Sequence, residues 1–260
     1  LYQLSLASTL PYLVDYKNNY GSILKGFEAN REQFEKAANK KFISFRNGLS
    51  AIIDRLEETL PDVTFMKNTK TRSVKKIGNR YVVFAGEETI EADVVVLAVP
   101  NETVREVLQD EALQKNLDKF TTASAITIYL GFDVPDSVLP VDGTGFIVSD
   151  NSDLVCDAST WTSRKWKHTS KDGNLLVRLF YKNSNSRYEE LAAMTDEQLV
   201  EVARQDIKQS LEIEEEPTVV NVTKWIDKMP RYDLDHNKTL HIVIDELAER
   251  YPNLLLAGCS

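Results

Sequence analysis

The feature that most constrains the fold is an unbroken apolar run, Val94 to Val99, which follows Asp93 and ends at Pro100. A strand with one solvated face alternates apolar and polar residues, whereas a continuous run is typical of a strand covered on both faces inside a parallel sheet. A second short apolar strand is predicted at 254–257. Together the two strands predict a parallel α/β sheet, interrupted by the long segment between them.

In the segment between these two strands, short strand patterns and turn residues follow one another at the spacing that is typical of an antiparallel sheet. Short strands are predicted at 123–132, 145–148, 154–158 and 174–181, with Pro, Gly, Asp and Asn between them. Asn101 is predicted to cap one helix, and Thr195 with Gln198 is predicted to form a capping box for another. A strand at 218–225 and a helix at 239–250 complete this part of the chain.

The chain before the apolar run is predicted to be helical first and then β-rich. Residues 1–41 have helical character without a strand pattern. From Asn47 to Pro61 the apolar positions keep helical spacing, so this helix is expected to bury one face against the rest of the protein. Strands are then predicted at 63–66, 72–77, 80–84 and 89–91.

The predicted fold class is mixed and combines α/β with α+β features. It consists of a partial nucleotide-binding α/β domain, an inserted antiparallel-sheet domain and a small helical region. The predicted boundaries are 1–41 for the helical region, 42–105 for the first part of the α/β domain, 106–250 for the inserted domain and 251–260 for the strand that returns.

Charge and cysteine content exclude several classes of function. The chain has 31 Lys and Arg against 40 Asp and Glu, a net charge of −9, which disfavours a nucleic-acid partner. Cys156 and Cys259 are too far apart for a metal motif or a disulfide framework, and His236 and His241 are wrongly spaced for a metal pair on one helical face. We therefore predict no metal site, no nucleic-acid partner and a reducing, cytoplasmic environment.

A search for catalytic motifs is negative. The only Gly-x-Gly is Gly143-Thr144-Gly145, and Val148 occupies the position where a dinucleotide-binding fingerprint needs glycine. The sequence begins at Leu1 without an initiator Met and ends shortly after a strand and a glycine turn. We interpret it as an internal fragment of a longer protein, and no catalytic residue is assigned.

Three segments stand out, each with a simple structural alternative. Residues 140–148 place two glycines before an apolar strand, either as a loop that approaches a ligand or as an ordinary hairpin turn. Residues 224–232 place aromatic side chains and a proline at a strand exit, either beside a ligand or packed on the core. Residues 98–100 and 257–258 place small side chains at strand ends, where parallel sheets bind ligands, although ordinary strand ends have the same pattern.

Taken together, these segments resemble the flavin-dependent protoporphyrinogen and coproporphyrinogen oxidases, within the amine-oxidase-like flavoprotein superfamily. The resemblance extends over nearly the whole chain and is carried by residues 4–6, 11–13, 20–26, 42–50, 93–100, 143–148, 225, 229–232, 236 and 251–258. In this family the dinucleotide fingerprint and the second flavin motif would lie before Leu1 and after Ser260. The resemblance therefore implies FAD as the cofactor of the α/β domain, with most of its site outside this chain.

The resemblance also assigns roles to individual residues. It implies FAD contacts for Val74, Ala98, Val99, Pro100, Trp225, Ala257 and Gly258. It implies substrate contacts for Thr144, Gly145, Phe146 and Ile147 in the inserted domain. Few of these residues are acids or bases, as expected where the cofactor supplies the chemistry and the protein supplies position.

The implied activity is the FAD-dependent oxidation of coproporphyrinogen III or protoporphyrinogen IX to the porphyrin in haem biosynthesis. Oxygen would be the acceptor and hydrogen peroxide the second product. The match is strongest to the bacterial branch, which favours coproporphyrinogen, and the fragment alone is expected to be inactive. A porphyrinogen and oxygen are thus the expected small-molecule partners.

The resemblance implies a cytoplasmic enzyme. The helical region 1–41 is a candidate for peripheral contact with the inner face of the membrane, and other enzymes of the haem pathway are candidate partners. Two alternatives stay open. One is another flavoenzyme of the superfamily, such as an amine oxidase or a carotenoid desaturase, and the other is a non-catalytic binding module on a flavoprotein-like scaffold.

Overall fold

The computed structural model describes residues 4–33, 43–139, 141–149, 151–170 and 172–258. These residues form two compact units. Unit 1 is drawn from Leu1–Ile43, Ala51–Thr122 and Pro230–Ser260, and unit 2 from Ser44–Ser50 and Ala123–Met229. The predicted domain boundaries at 41/42, 105/106 and 250/251 stay predictions.

The described residues contain both α-helices and β-strands. In chain order the helices are α1 (Leu6–Thr9), α2 (Pro11–Tyr20), α3 (Ile23–Ala29), α4 (Ser50–Thr59), α5 (Asn101–Leu108), α6 (Glu111–Leu117), α7 (Thr162–Lys165), α8 (Tyr188–Ala193), α9 (Asp196–Leu211) and α10 (His236–Arg250). The strands are β1 (Thr71–Ile77), β2 (Arg80–Ala85), β3 (Glu88–Ala92), β4 (Val95–Leu97), β5 (Thr121–Pro135), β6 (Gly145–Ile147), β7 (Ala158–Trp161), β8 (Asn174–Lys182), β9 (Pro217–Arg231) and β10 (Leu254–Leu256). None of the described helices has the length and apolar character needed to cross a membrane.

The first part of unit 1 is helical, as predicted for residues 1–41 within the described stretch 4–33; the rest of that prediction lies outside the described residues. The amide of Lys25 donates to the Ser22 hydroxyl and caps α3. Gly26 is buried, and a Cβ at this position would lie 2.3 Å from the Cβ of Tyr16. Glycine at this position therefore lets α3 pack closely against α2.

Unit 1 contains two small sheets. Strands β1, β2 and β3 form an antiparallel meander, and β4 pairs in parallel with β10. The parallel pairing predicted from the two apolar runs is thus confirmed. The core of unit 1 is formed by Val74, Tyr81, Val95, Leu97, Val104, Val107, Leu108, Leu113, Leu117, Val243, Leu247 and Leu254. Helices α5, α6 and α10 supply the core side chains that do not come from the strands.

Several expectations for unit 1 are wrong in detail. The apolar run is covered on one face only among the described residues, because the Val96 side chain is 55% exposed. The predicted packing of the helix at Asn47 to Pro61 is also absent from the described residues, since Ile53 of α4 is 57% exposed. Residues 63–66 form no strand, as no neighbouring strand pairs with them. Pro100, not Asn101, occupies the N-cap position of α5.

Unit 2 is built on a five-stranded sheet in the order β6-β7-β8-β5-β9. Along β5 and β8 buried side chains alternate with half-buried ones, so the sheet has one core face and one open face. The core face packs on α9, whose predicted capping box between Thr195 and Gln198 is confirmed. The strand predicted at 154–158 lies later in the chain. β7 begins at Ala158, the last residue of the predicted range, and ends at Trp161.

Candidate functional site

The predicted FAD-contacting residues of unit 1 meet at the carboxyl end of the parallel pair. The Ala257 amide donates to the Leu97 carbonyl at 3.0 Å, which brings residues 98–100 beside Ala257 and Gly258. Gly258 has a φ of +118°, which favours glycine, and no atom lies within 4 Å of the position a Cβ would take. Ligands of parallel sheets bind at this end of the strands, where small side chains allow close approach to the backbone.

A cleft of about 560 Å³ opens next to this strand end. It is lined by Asn101, Phe120, Leu240, Ile244, Leu247, Ala248 and residues 251–258. Tyr251 is one of its walls, and burial together with the hydrogen bond to Asp110 raises the pKa of Tyr251 to about 12. The walls of the cleft are mostly apolar, and Ala257 and Gly258 are exposed at one end, which fits the edge of a flavin site. The described lining residues include no cationic side chain for a pyrophosphate.

Val74 lies apart from this strand end, in the middle of β1. Its side chain is 3% exposed and belongs to the core of unit 1. Since β1 is the edge strand of its three-stranded sheet, only the main chain of Val74 is placed to contact a ligand. The FAD contact that the resemblance implies for Val74 stays a prediction about backbone atoms.

The open face of the unit 2 sheet carries two cross-strand rows of side chains. Directly paired residues in antiparallel strands project from the same face. One row runs through Ile147, Ala158, Phe180 and Thr127, and the other runs through Gly145, Thr160, Arg178 and Tyr129. Two of the four predicted substrate residues therefore lie on this face.

Trp225 extends the first row at the opposite edge of the sheet. Its Nε1 donates to the Thr127 hydroxyl at 3.1 Å, and its side chain is 44% exposed. Core packing therefore does not explain this residue. The structure thus brings Trp225 of β9 onto the same face as Gly145 and Ile147 of β6, although about 80 residues separate the two strands in the sequence.

The other predicted substrate residues have different surroundings. Phe146 pairs with Ser159 and its ring packs against the core of unit 2, so it faces away from the open face. Gly145 is required by strand pairing: a Cβ there would lie 2.2 Å from the Ser159 carbonyl oxygen, and its φ is +151°. Thr144 precedes β6, where its carbonyl accepts from the amide of Trp161 at 2.8 Å. The close approach of Gly145 is thus to β7.

A cleft of about 510 Å³ lies on the open face beside the second row. The segment Ser44–Ser50 contributes part of its lining, and the Ser44 hydroxyl forms a 3.0 Å hydrogen bond with Nε2 of His168. The lining residues are Ser44, Phe45, Arg46, Gly48, Leu49, Tyr129, Thr160, Thr162, Lys165, Trp166, His168, Thr169 and Arg178. The volume falls within the range of about 300–1,000 Å³ that is typical of small-molecule sites.

The charge of this cleft is opposite to that of the chain. Arg46, Lys165 and Arg178 line it, and no acidic side chain is among its described lining residues, although the net charge of the chain is −9. Arg178 donates from Nη1 to the Tyr129 hydroxyl at 2.8 Å and lies 4.4 Å from the centre of the Phe180 ring. Sequence analysis missed these cations. An arginine at an open-face position of the apolar strand β8 is the one signal that could have indicated them.

The buried polar groups of unit 2 stabilise its fold. Asp206 accepts hydrogen bonds from the amides of Val155 and Cys156 and from the Tyr181 hydroxyl, at 2.7, 2.8 and 3.0 Å. Burial, followed by the charge of Asp206, raises the pKa of the Cys156 thiol. Cys156 is therefore a buried, protonated thiol and not a nucleophile. Cys259 lies outside the described residues.

Comparison with known proteins identifies the family. Residues 2–260 match the family model for flavin containing amine oxidoreductases, and the chain belongs to this family. The family and the mixed fold class predicted from the sequence are thus confirmed.

Two curated relatives and one solved structure are similar to this chain over nearly its whole length. The chain is 26% identical to the coproporphyrinogen III oxidase of Bacillus subtilis and 28% identical to that of Staphylococcus aureus, over 99% of this chain and 56% and 57% of theirs. The crystal structure of a proposed protoporphyrinogen oxidase from Exiguobacterium sp. 255-15 superimposes with a TM-score of 0.81 at 28% identity, over 98% of this chain and 54% of that one. The chain therefore spans about half the length of the relatives it matches.

Proposed function

We propose that the complete protein, a member of the flavin containing amine oxidoreductase family, oxidises a porphyrinogen to the porphyrin. The observation that carries this proposal is the open face of the unit 2 sheet, where Tyr129, Phe180 and Trp225 offer aromatic surface beside cationic side chains. A flat, apolar ring system that bears acidic groups at its edge is complementary to such a face. The names of the bacterial relatives support the same substrate class.

The proposed cofactor is FAD. The strand ends at 98–100 and 257–258 are the candidates for contact with it in unit 1, together with the Val74 backbone. Trp225 is the candidate in unit 2. When bound, FAD would accept a hydride from a meso carbon of the porphyrinogen, with release of a proton, and three such two-electron oxidations, each coupled to the reduction of one oxygen to hydrogen peroxide, would give the porphyrin.

The residues of this chain would position the substrate and exclude water. Phe180 and Ile147 offer an apolar surface for one face of the macrocycle, with Trp225 at its edge. No side chain of this row is an acid or a base at neutral pH. Such a surface suits a reaction in which the cofactor accepts the hydride and the protein supplies a dry, fixed geometry.

The cationic cleft disfavours the alternative substrates of the superfamily. An amine substrate carries a positive charge and would be repelled by Arg46, Lys165 and Arg178, whereas a carotenoid has no charge to match them. Coproporphyrinogen carries more carboxylates than protoporphyrinogen, so the three cations favour coproporphyrinogen III. A role in haem biosynthesis within the cytoplasm follows from this substrate, and contact of the helical region 1–41 with the membrane or with pathway enzymes stays a prediction.

The test is an aerobic assay of the purified complete protein. Flavin absorbance establishes loading, and peroxide and porphyrin fluorescence are then followed with coproporphyrinogen III, protoporphyrinogen IX and, as a control, putrescine. We expect peroxide and porphyrin to form in parallel, faster with coproporphyrinogen III. Flavin-loaded protein that produces peroxide with putrescine alone would contradict the proposal, and flavin-free protein that binds porphyrin without oxidising it would favour a binding module.

A further inference from the structure

Arg164 lies on α7 and is not among the described lining residues of the cleft on the open face. We propose that Arg164 is a positioning residue, whose guanidinium holds the segment 141–147 and thereby fixes Gly145 and Ile147 at the edge of the open face. This inference rests on the proposed function and adds to it a residue that determines where the substrate surface lies. Arg164 itself is assigned no contact with the substrate.

The guanidinium of Arg164 joins two points of the chain that precede β6. Its Nε donates to the Asp136 carboxylate at 3.1 Å, and its Nη2 donates to the Asp136 carbonyl at 2.8 Å. Its Nη1 donates to the Val141 carbonyl at 2.6 Å. The guanidinium also lies 5.4 Å from the centre of the Trp161 ring, and the side chain is 19% exposed. Because the donors of a guanidinium have fixed directions, these contacts set the position of Val141 relative to α7.

Helix α7 can serve as an anchor because it is joined to the centre of the sheet. Ser163 of α7 is buried, and its hydroxyl accepts a hydrogen bond from the amide of Leu176 on β8 at 3.0 Å. The same hydroxyl donates to the Asp136 carboxylate at 3.4 Å. Strand β8 is the middle strand of the five-stranded sheet. Arg164 therefore connects a loop at the edge of the sheet to a strand in its centre.

The segment 141–147 needs such an anchor to keep a fixed position. It leads into β6, which has three residues and pairs with β7 at the edge of the sheet. Gly143 and Gly145 have φ angles of +137° and +151°, so the backbone has the conformational freedom of glycine on both sides of Thr144. Ile147 is 86% exposed and contributes little packing. A short edge strand of this kind is among the first parts of a folded protein to open.

Loss of the Arg164 hydrogen bonds should therefore shift the edge of the open face while the rest of the sheet stays folded. Ile147 belongs to the first cross-strand row, in which Phe180 lies nearer the centre of the sheet. A flat ring system on this row contacts Ile147 only while β6 keeps its place. We expect the affinity for the substrate to depend on Arg164, whereas the rate of hydride transfer to the cofactor should depend on it little.

The test combines amide hydrogen exchange with substrate affinity in the complete flavin-loaded protein. In Arg164→Gln, exchange in peptides that cover residues 141–148 should become about tenfold faster, because local opening then breaks fewer hydrogen bonds. Exchange in β5 and β8 should stay unchanged, which shows that the variant is folded. The KM for coproporphyrinogen III and the Kd for coproporphyrin III should both rise roughly tenfold, with kcat within about twofold of wild type.

Arg164→Lys separates positioning from charge. Lysine keeps the positive charge but has a single nitrogen, so it cannot bond Asp136 and Val141 in the same way and should raise KM and Kd as Arg164→Gln does. The matched control is Arg187→Gln, which removes another arginine of unit 2 from an exposed ion pair with Glu190 at 3.3 Å. It should change neither the exchange at 141–148 nor the two affinities.

The positioning role would be overturned by unchanged exchange at 141–148 in Arg164→Gln, or by faster exchange with unchanged KM and Kd. Wild-type KM and Kd in Arg164→Lys would also overturn it, because the charge alone would then be sufficient. Wild-type protein that binds coproporphyrin III but oxidises no porphyrinogen, together with weaker binding in both Arg164 variants, would instead overturn the proposed function and leave the positioning role standing.

Discussion

The two units of the molecule differ in how completely they cover their own apolar surface. In unit 2, Leu179, Val177 and Ile128 are fully buried between the sheet and α9. In unit 1, Val96 and Leu255 on paired strands are each 55% exposed, on the face opposite the core. An antiparallel sheet made from neighbouring strands can complete a core with one helix, whereas a parallel pair needs cover on both faces. The difference predicts that the stability measured for this chain comes mainly from unit 2.

The largest expected effect contrasts a buried leucine with an exposed one. Leu179→Ala in unit 2 should lower the free energy of unfolding by about 2–5 kcal/mol, because it leaves a cavity in a closed core. Leu255→Ala in unit 1 removes the same atoms from a half-exposed position and should cost less than about 1 kcal/mol. Urea unfolding of the two variants measures both changes. Equal losses in the free energy of unfolding would show that the face of the parallel pair that carries Leu255 is covered, and would contradict the difference between the two units.

Gly145→Val should have the next largest effect. The new side chain would meet the Ser159 carbonyl and the backbone would leave its favoured region, so β6 should separate from β7 at a cost of about 2–4 kcal/mol. Gly173→Ala is the control, since no atom lies within 4 Å of its Cβ position and only its φ of +74° opposes the change, at about 1 kcal/mol. Thermal unfolding that ranks the two variants equally would contradict the steric account.

Trp225→Phe should separate activity from stability. The substitution removes the exposed hydrogen bond to Thr127, which is worth about 0.5–1 kcal/mol, and keeps an aromatic ring on the open face. Porphyrinogen turnover per flavin-loaded molecule should fall roughly tenfold, because reaction geometry is sensitive to small displacements. Ile226→Val, the next residue on β9, serves as the control. Unchanged turnover with normal flavin content would remove Trp225 from the proposed site.

The smallest effect concerns acid stability in unit 1. Burial alone would raise the pKa of Asp110, but hydrogen bonds from Tyr251 and the Leu113 amide, together with Arg250, lower it overall below its ordinary value of 3.8. The charged form therefore stabilises the folded state above pH 4, and this contribution is lost as the pH falls through the lowered pKa. Asp110→Asn should flatten the loss of stability in acid. Identical pH profiles for wild type and variant would contradict this assignment.

The sequence was sufficient to predict a structural feature where the residue pattern behind it is local or strongly periodic. The capping box at Thr195 and the alternation along β5 and β8 depend on neighbouring residues, and both are predictable. The pairing of β4 with β10 is a long-range feature, but each apolar run indicates its own place in a parallel sheet. The family resemblance then added candidate residues that local patterns do not reveal.

The cationic cleft could not be predicted in the same way. Arg46 and Lys165 lie in irregular or very short elements, where no period indicates the direction of a side chain. Their meeting with Arg178 depends on contacts between segments more than 100 residues apart, such as the Ser44–His168 hydrogen bond. The error at residues 63–66 has a related cause, since a β-rich composition does not supply a partner strand.

The most direct test of the central claim is an anaerobic single turnover of the complete protein. Flavin-loaded enzyme is mixed with coproporphyrinogen III without oxygen, and the flavin and porphyrin absorbance bands are recorded together. One FAD accepts two electrons, whereas the conversion of a porphyrinogen to the porphyrin releases six. The account therefore predicts that the flavin band bleaches without a matching porphyrin band while oxygen is absent, and that admitted oxygen restores the flavin band and lets the porphyrin band rise. A flavin band that stays unchanged at saturating coproporphyrinogen III would contradict the account.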